Sequence, residues 1–221
     1  MKRLLIILIV LLPFVVSAQN EEENPITIGI NAGYDNNINA YRLDPNLNGN
    51  NFSSDNPNYN IALDFGIKLS EKYRMRLGVK YVRMGYQADW TNTSLSTMLD
   101  RSEVKLHYSD VNLHVDYMLF NRSKFQIYIS PFVNWEFNVS KECKNVKIDG
   151  TYNYKQIYGI INENPDNVFG GGISAILKYN LNNHFGLTLT PEYNIFFNKF
   201  VSDNDKLYQR TSINFGFEFR F

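Results

Sequence analysis

The chain has 221 residues, enough for one domain, with 22 basic and 22 acidic side chains. That balance gives no electrostatic footing for nucleic acid, which is not expected as a partner. The single cysteine, Cys143, excludes an internal disulfide and a cysteine metal site, and no metal or cofactor is expected.

The start of the chain reads as a secretory signal peptide over residues 1–18. Lys2 and Arg3 precede an apolar run from Leu4 to Val16, and Val16-Ser17-Ala18 supplies the small residues before a cleavage point at Gln19. The run is too short for a membrane helix, which needs about 20 apolar residues. No cysteine lies near the cleavage point, so a lipoprotein is not expected. The mature domain is then 19–221. Without Lys2 and Arg3, the 22 basic residues fall to 20, against 22 acids.

From there the dominant pattern is period two, which is a strand signature. Eight segments carry it in chain order. The apolar faces begin with Ile26 to Tyr34, Tyr59 to Leu69, Met75 to Tyr81 and Val111 to Leu119. They continue with Phe125 to Val139, Ile173 to Tyr179, Phe185 to Phe197 and Thr211 to Phe221. No stretch keeps a helical period. Connections alternate in length: short at 70–73, 121–124 and 180–184, long at 35–58, 87–103, 140–167 and 198–209. This layout predicts an all-β, eight-stranded, antiparallel up-and-down transmembrane barrel, its short turns periplasmic and its long loops outside. The run Gly170-Gly171-Gly172 reads as a bulge or bend where the sixth strand begins.

Alternation does not say which face is inside. Volume does, because an eight-stranded barrel has room for one face of modest side chains and the apolar faces are too bulky. The polar face is rich in glycine and carries balanced charge. It is expected to form a lumen network of Asp64, Lys68, Arg74, Arg76, Lys80, Asp116, Glu136, Lys178, Glu192, Glu218 and Arg220. Asp110 and Arg210 lie on the same face. Facing lipid, each charge would cost several kcal/mol, roughly 2–4 near the midplane for Arg or Lys. Tyr34, Tyr59, Tyr81, Trp135, Tyr179 and Tyr193 suit interfacial girdles. These features place the chain in a bacterial outer membrane, in contact with its lipids and lipopolysaccharide. Phe217, Phe219 and the terminal Phe221 resemble the insertion signal read by the barrel assembly machinery.

Two stretches carry a family resemblance. Lys80-Tyr81-Val82-Arg83-Met84-Gly85-Tyr86 resembles the tyrosine-basic-x-glycine stretch in the third strand of PorT-like outer-membrane β-barrel proteins. Tyr108-Ser109-Asp110-Val111-Asn112-Leu113 resembles their fourth-strand stretch, with Asn112 where proline is usual. The resemblance implies a Bacteroidetes-type outer-membrane barrel. It also implies, as an alternative role, an accessory part of a protein secretion machine.

The remaining candidates are local. Among His107, His114 and His184 no zinc spacing occurs. His114 is expected as a hydrogen-bonded filler of the polar face. His107, Ser109 and Asp110 resemble the His-x-Ser pair plus acid of barrel enzymes that trim lipid A. Such a site needs its pair turned to the lipid, and here Leu106 and Tyr108 read as the lipid-facing residues, with His107 and Ser109 inward. The main expectation is therefore a non-enzymatic barrel, with a lipid A-modifying enzyme as the alternative. Lys141, Lys144, Lys147, Lys155, Tyr152, Tyr154 and Tyr158 offer a loop surface for a glycan, lipopolysaccharide or protein partner.

Overall fold

The computed structural model describes residues 26–38, 52–53, 58–89, 99–154, 166–197 and 207–221. The signal peptide, its cleavage point, Lys155, Tyr158 and much of the long loops lie outside the described residues.

Eight long strands form: β1 Ile26–Ile38, β2 Tyr59–Lys68, β3 Tyr73–Asp89, β4 Leu99–Arg122, β5 Phe125–Lys147, β6 Asn167–Asn180, β7 Phe185–Phe196 and β8 Gln209–Arg220. Each pairs antiparallel with its chain neighbours. The ring closes where β1 meets β8, from Thr27 opposite Arg220 to Ile38 opposite Gln209. Two short segments, Phe52–Ser53 and Tyr152–Asn153, add to the outer margins of β3 and β5. Closure leaves no open edge along the paired lengths, so the backbone can satisfy itself within lipid.

The alternation sorts side chains as the volume argument requires. Phe215 is 65% exposed and Val133 59% on the outside, whereas Glu136 and Asp116 are fully buried inside. Tight turns close the strands on one rim. At Ser123 the backbone has φ 47°, a left-handed conformation that costs a serine roughly 1 kcal/mol more than a glycine.

Two expectations need correcting. The loops at 87–103 and 140–167 are shorter than the pattern suggests, because β4 begins at Leu99 and β5 runs to Lys147. These strands of 24 and 23 residues far exceed the roughly 9–11 needed to cross a bilayer. Gly170 to Gly172 form no bulge either. They lie in an unbroken ladder between Asn134–Phe132 of β5 and Phe196–Asn194 of β7. A Cβ on Gly170 would lie 2.7 Å from Asn134 Oδ1 and 2.9 Å from the Phe196 ring, and one on Gly172 would lie 2.7 Å from the Phe132 ring. The glycines make room for inward side chains of their neighbours.

A real irregularity lies elsewhere. Between His107 and Tyr108 the β4–β5 register slips, with His107 opposite Ser140 and Tyr108 opposite Asn138. Val139 is the extra residue, 61% exposed. The Asn138 amide donates to the carbonyls of His107 at 3.3 Å and Ser140 at 3.4 Å, so the side chain occupies the gap in the ladder. The slip inverts the parity of β5. Below it the odd residues face outward, and above it Ser140, Glu142 and Lys144 do.

Candidate functional site

The lumen holds three groups of ion pairs built from the inward residues of β2 to β8. Arg74 bridges Asp116 at 2.7 Å and Glu218 at 2.5 Å, and Lys178 also pairs with Glu218. Arg76 reaches Asp64 at 3.1 Å and Asp116 at 3.4 Å. Ser130 donates to Asp116 at 2.5 Å. Higher up, Lys80 pairs with Glu192 at 2.7 Å, and Arg210 pairs with Glu136 and with Asp110 at 3.5 Å. Lys68 and Arg220 sit at the end of the lumen near the short turns, where Arg220 donates to Asn180. Asp35, which the pattern places in a loop, lies fully buried inside and accepts from Asn60 at 2.7 Å and Ser212 at 2.5 Å. The sequence holds its signal, since it follows the odd inward positions of β1. His114 stacks on Phe132 with centroids 4.7 Å apart and is held by Arg76 and Asn112 at 3.1 and 3.0 Å. Donation from Nε2 to Asn112 Oδ1 and acceptance at Nδ1 from Arg76 satisfies the ring. Among the described residues no group of His, Cys, Asp or Glu could hold a metal ion.

Following β4 upward, both faces change character at one level. Inward come Asp116, His114, Asn112 and Asp110, then Tyr108, Leu106 and Val104. Outward come Val115, Leu113 and Val111, then Ser109, His107, Lys105, Glu103 and Arg101. Neighbouring β3 does the same. Arg74, Arg76 and Lys80 give way inside to Val82, Met84 and Tyr86, while Tyr81 gives way outside to Arg83. The ladder sets Tyr81 against Ser109, Val82 against Tyr108 and Arg83 against His107, so the change falls at the same height on both strands. Val168, Phe196, Tyr208 and Cys143 complete the buried apolar layer. Phe196 and Tyr208 stack with centroids 4.4 Å apart, and Arg210 lies 5.1 Å beneath the Phe196 ring.

This corrects the expectation for the His-x-Ser pair. Leu106 and Tyr108 face inward and are fully buried, while His107 and Ser109 face out. Asp110 is on the opposite side of the strand, bound to Asn134 at 3.0 Å and Asn112 at 3.1 Å. His107 Nδ1 instead meets the Tyr81 hydroxyl at 2.5 Å. A nucleophile, base and acid must converge to act together, and these three do not. Beyond the slip, the outer end of β5 turns at Gly150 (φ 80°) and leaves Ile148, Tyr152 and Tyr154 exposed at 62%, 59% and 71%. Lys144 lies 4.7 Å over the Tyr152 ring, and Tyr152 and Tyr154 meet edge-on at 5.7 Å.

A family model described as "Outer membrane protein beta-barrel domain" matches residues 17–170. The chain belongs to the outer membrane β-barrel domain family. No curated protein matches the sequence. The structure of a major outer membrane protein from Thermus thermophilus has TM-score 0.51 and 11% identity, covering 89% of this chain and 99% of that one, a likeness of fold. OprG from Pseudomonas aeruginosa has TM-score 0.48 and 13% identity, covering 92% and 98%. Ail from Yersinia pestis, in a complex with the heparin analogue sucrose octasulfate, has TM-score 0.49 and 14% identity, covering 90% and 99%. For this outer-membrane barrel the change of polarity has a direct reading. Below it the surroundings are acyl chains, which favour an oily exterior and enclosed charge. Above it they are water, which favours the reverse. Tyr34, Tyr59, Tyr81, Trp135 and Tyr193 stand on the outer face toward the long loops, and Tyr73, Tyr117, Phe125, Tyr179 and Phe185 lie toward the short turns, positions that suit interfacial aromatic residues.

Proposed function

We propose that this barrel is a non-enzymatic display platform whose recognition surface is the β4–β5 extension. The carrying observation is the change of polarity at Tyr81 and Ser109. It makes the outer part of β4 and β5 a folded, water-facing element with its own apolar interior. The ligand class that fits is surface glycan, including the sugar and phosphate groups of lipopolysaccharide. Exposed Tyr152 and Tyr154 offer faces for sugar stacking, and Lys144 stands beside them. Lower down, Arg83 and Lys105 meet the headgroup level, where basic side chains attract anionic lipid. Phe217, Phe219 and Phe221 close the last strand on the periplasmic side, and we assign to them the contact with the assembly machinery during insertion.

Titrating purified barrel with lipopolysaccharide oligosaccharide tests the reading. Changing Tyr152 and Tyr154 to alanine should weaken binding at least tenfold while the protein keeps its heat-modifiable migration. Undiminished binding by that variant would overturn it. The PorT-like stretches support the secretion-accessory reading as the second one, because Lys80–Val82 of the first pair with Asp110–Tyr108 of the second across β3 and β4. Co-purification of a large periplasmic or outer-membrane partner under mild detergent would favour it, and a strictly monomeric barrel would count against it.

A further inference from the structure

A row of rings runs across the outer face of β1 to β4. Tyr34 stands opposite Tyr59 in the ladder. The Tyr59 and Tyr81 rings have centroids 6.5 Å apart, and Tyr81 stacks on His107 at 5.8 Å. The Tyr81 hydroxyl meets His107 Nδ1 at 2.5 Å. With the hydroxyl donating, a neutral ring carries its own proton on Nε2 and is a donor there. The Arg83 guanidinium lies 5.5 Å over the Tyr59 ring. Arg83 is opposite His107 in the ladder, and Lys105 is the next outward residue of β4 toward the long loops.

Three kinds of surface therefore follow one another along this face. Nearest the short turns are exposed apolar side chains, Ile61 and Val79 among them. Next come the aromatic faces and hydroxyls of Tyr59 and Tyr81. Beyond them stand the basic groups of Arg83, His107 and Lys105. Two acids are close by: Glu142, opposite Lys105 on β5, and Glu103, which is engaged by Arg101 at 3.2 Å and Lys144 at 3.8 Å. A lipid with acyl chains, a sugar and a phosphate carries matching chemistry in the same order. Acyl chains lie along apolar strands, the apolar face of a sugar packs on aromatic rings, and a phosphate takes charge-assisted hydrogen bonds from guanidinium and ammonium groups.

We propose that this face holds one phosphorylated glycolipid of the surrounding leaflet, its sugar on Tyr59 and Tyr81 and its phosphate on Arg83, His107 and Lys105. The inference deepens the proposed function and rests on the same change of polarity, but not on Tyr152 and Tyr154. Stacking on Tyr59 positions the Arg83 charge, and the Tyr81 hydroxyl positions the His107 ring.

Native mass spectrometry of the folded barrel in a non-ionic detergent tests this, with monophosphoryl lipid A as the probe. Its dephosphorylated form and inorganic phosphate are the comparison ligands. One retained lipid A per barrel is expected, and the dephosphorylated form should be held at least tenfold more weakly, the loss expected for a charge-assisted hydrogen bond of roughly 1.5–3 kcal/mol. Arg83→Gln and Lys105→Gln should each weaken retention severalfold, and the double variant should abolish saturable binding while keeping heat-modifiable migration. Glu142→Gln, at an exposed position, removes the opposing acid and should strengthen retention. The variant with Tyr152 and Tyr154 changed to alanine should retain lipid A as the parent does, which separates this site from the tip of the β4–β5 extension. Equal retention of the phosphorylated and dephosphorylated lipids overturns the proposal. So does saturable binding that survives the double change at Arg83 and Lys105. Displacement of the lipid by an equimolar amount of inorganic phosphate would mark a free-phosphate site and overturn the lipid assignment.

Discussion

The two halves of the interior solve opposite problems with the same eight strands. Within the membrane, the enclosed space holds Arg74, Asp116, Lys178 and Glu218 in a tight network, and the greasy side chains face lipid. Above the membrane it holds Val82, Met84, Leu106, Tyr108 and Phe196, and the charges face water. Neither β3 nor β4 changes its inward parity between the two, and what changes is the residue class. The solvent around a strand therefore dictates its pattern, and the strand's geometry only decides which residues share a face. The upper layer sets buried apolar groups above the charged interior, and an eight-stranded ring leaves an interior that its side chains fill.

The most severe way to break this comparison is to put an acid in the upper layer. Leu106→Asp should cost about 3–5 kcal/mol, the range for an uncompensated buried charge, read as a shifted urea midpoint in micelles. It should also expose Cys143, which is buried beside that layer, to rapid maleimide labelling. A variant within about 0.5 kcal/mol of the parent would show that the layer is not a core. Seven residues along the same strand, Leu113→Arg places charge against acyl chains and should cost about 2–4 kcal/mol in lipid bilayers. Retained stability there would move the membrane boundary. In the periplasmic turn, Ser123→Gly relieves the left-handed backbone and should add about 0.5–1 kcal/mol, measured as slower unfolding. The smallest effect is expected at Lys105→Leu, on the outward face above the boundary. It should change stability by less than about 0.5 kcal/mol because water, not lipid, surrounds it. A large gain in bilayers would mean that lipid reaches this height.

How much of this is readable in advance depends on position. Near the C-terminus, Ile213, Phe215, Phe217 and Phe219 alternate with Asn214, Gly216 and Glu218 without interruption, and β8 follows that pattern throughout. On β4 the pattern above Asp110 also alternates, but with the classes exchanged. Leu106 and Tyr108 therefore read as lipid-facing, and the pattern puts the His107–Ser109 pair on the wrong side. On β5 the slip at Val139 hides the same exchange, because an apolar residue stands where the alternation predicts one. Asp35 escapes the pattern because the first strand runs past Tyr34, where the apolar residues stop.

Strand number, antiparallel order, the short turns and the oily exterior of the lower barrel all follow from local chemistry. A side-chain period of two and the tight volume of an eight-stranded ring permit little else. The height at which lipid ends, the apolar layer above it and the pairing of charge along the lumen depend on which residues meet across strands. Register and closure bring Tyr81 to Ser109 and Arg74 to Glu218, and no single segment contains that information.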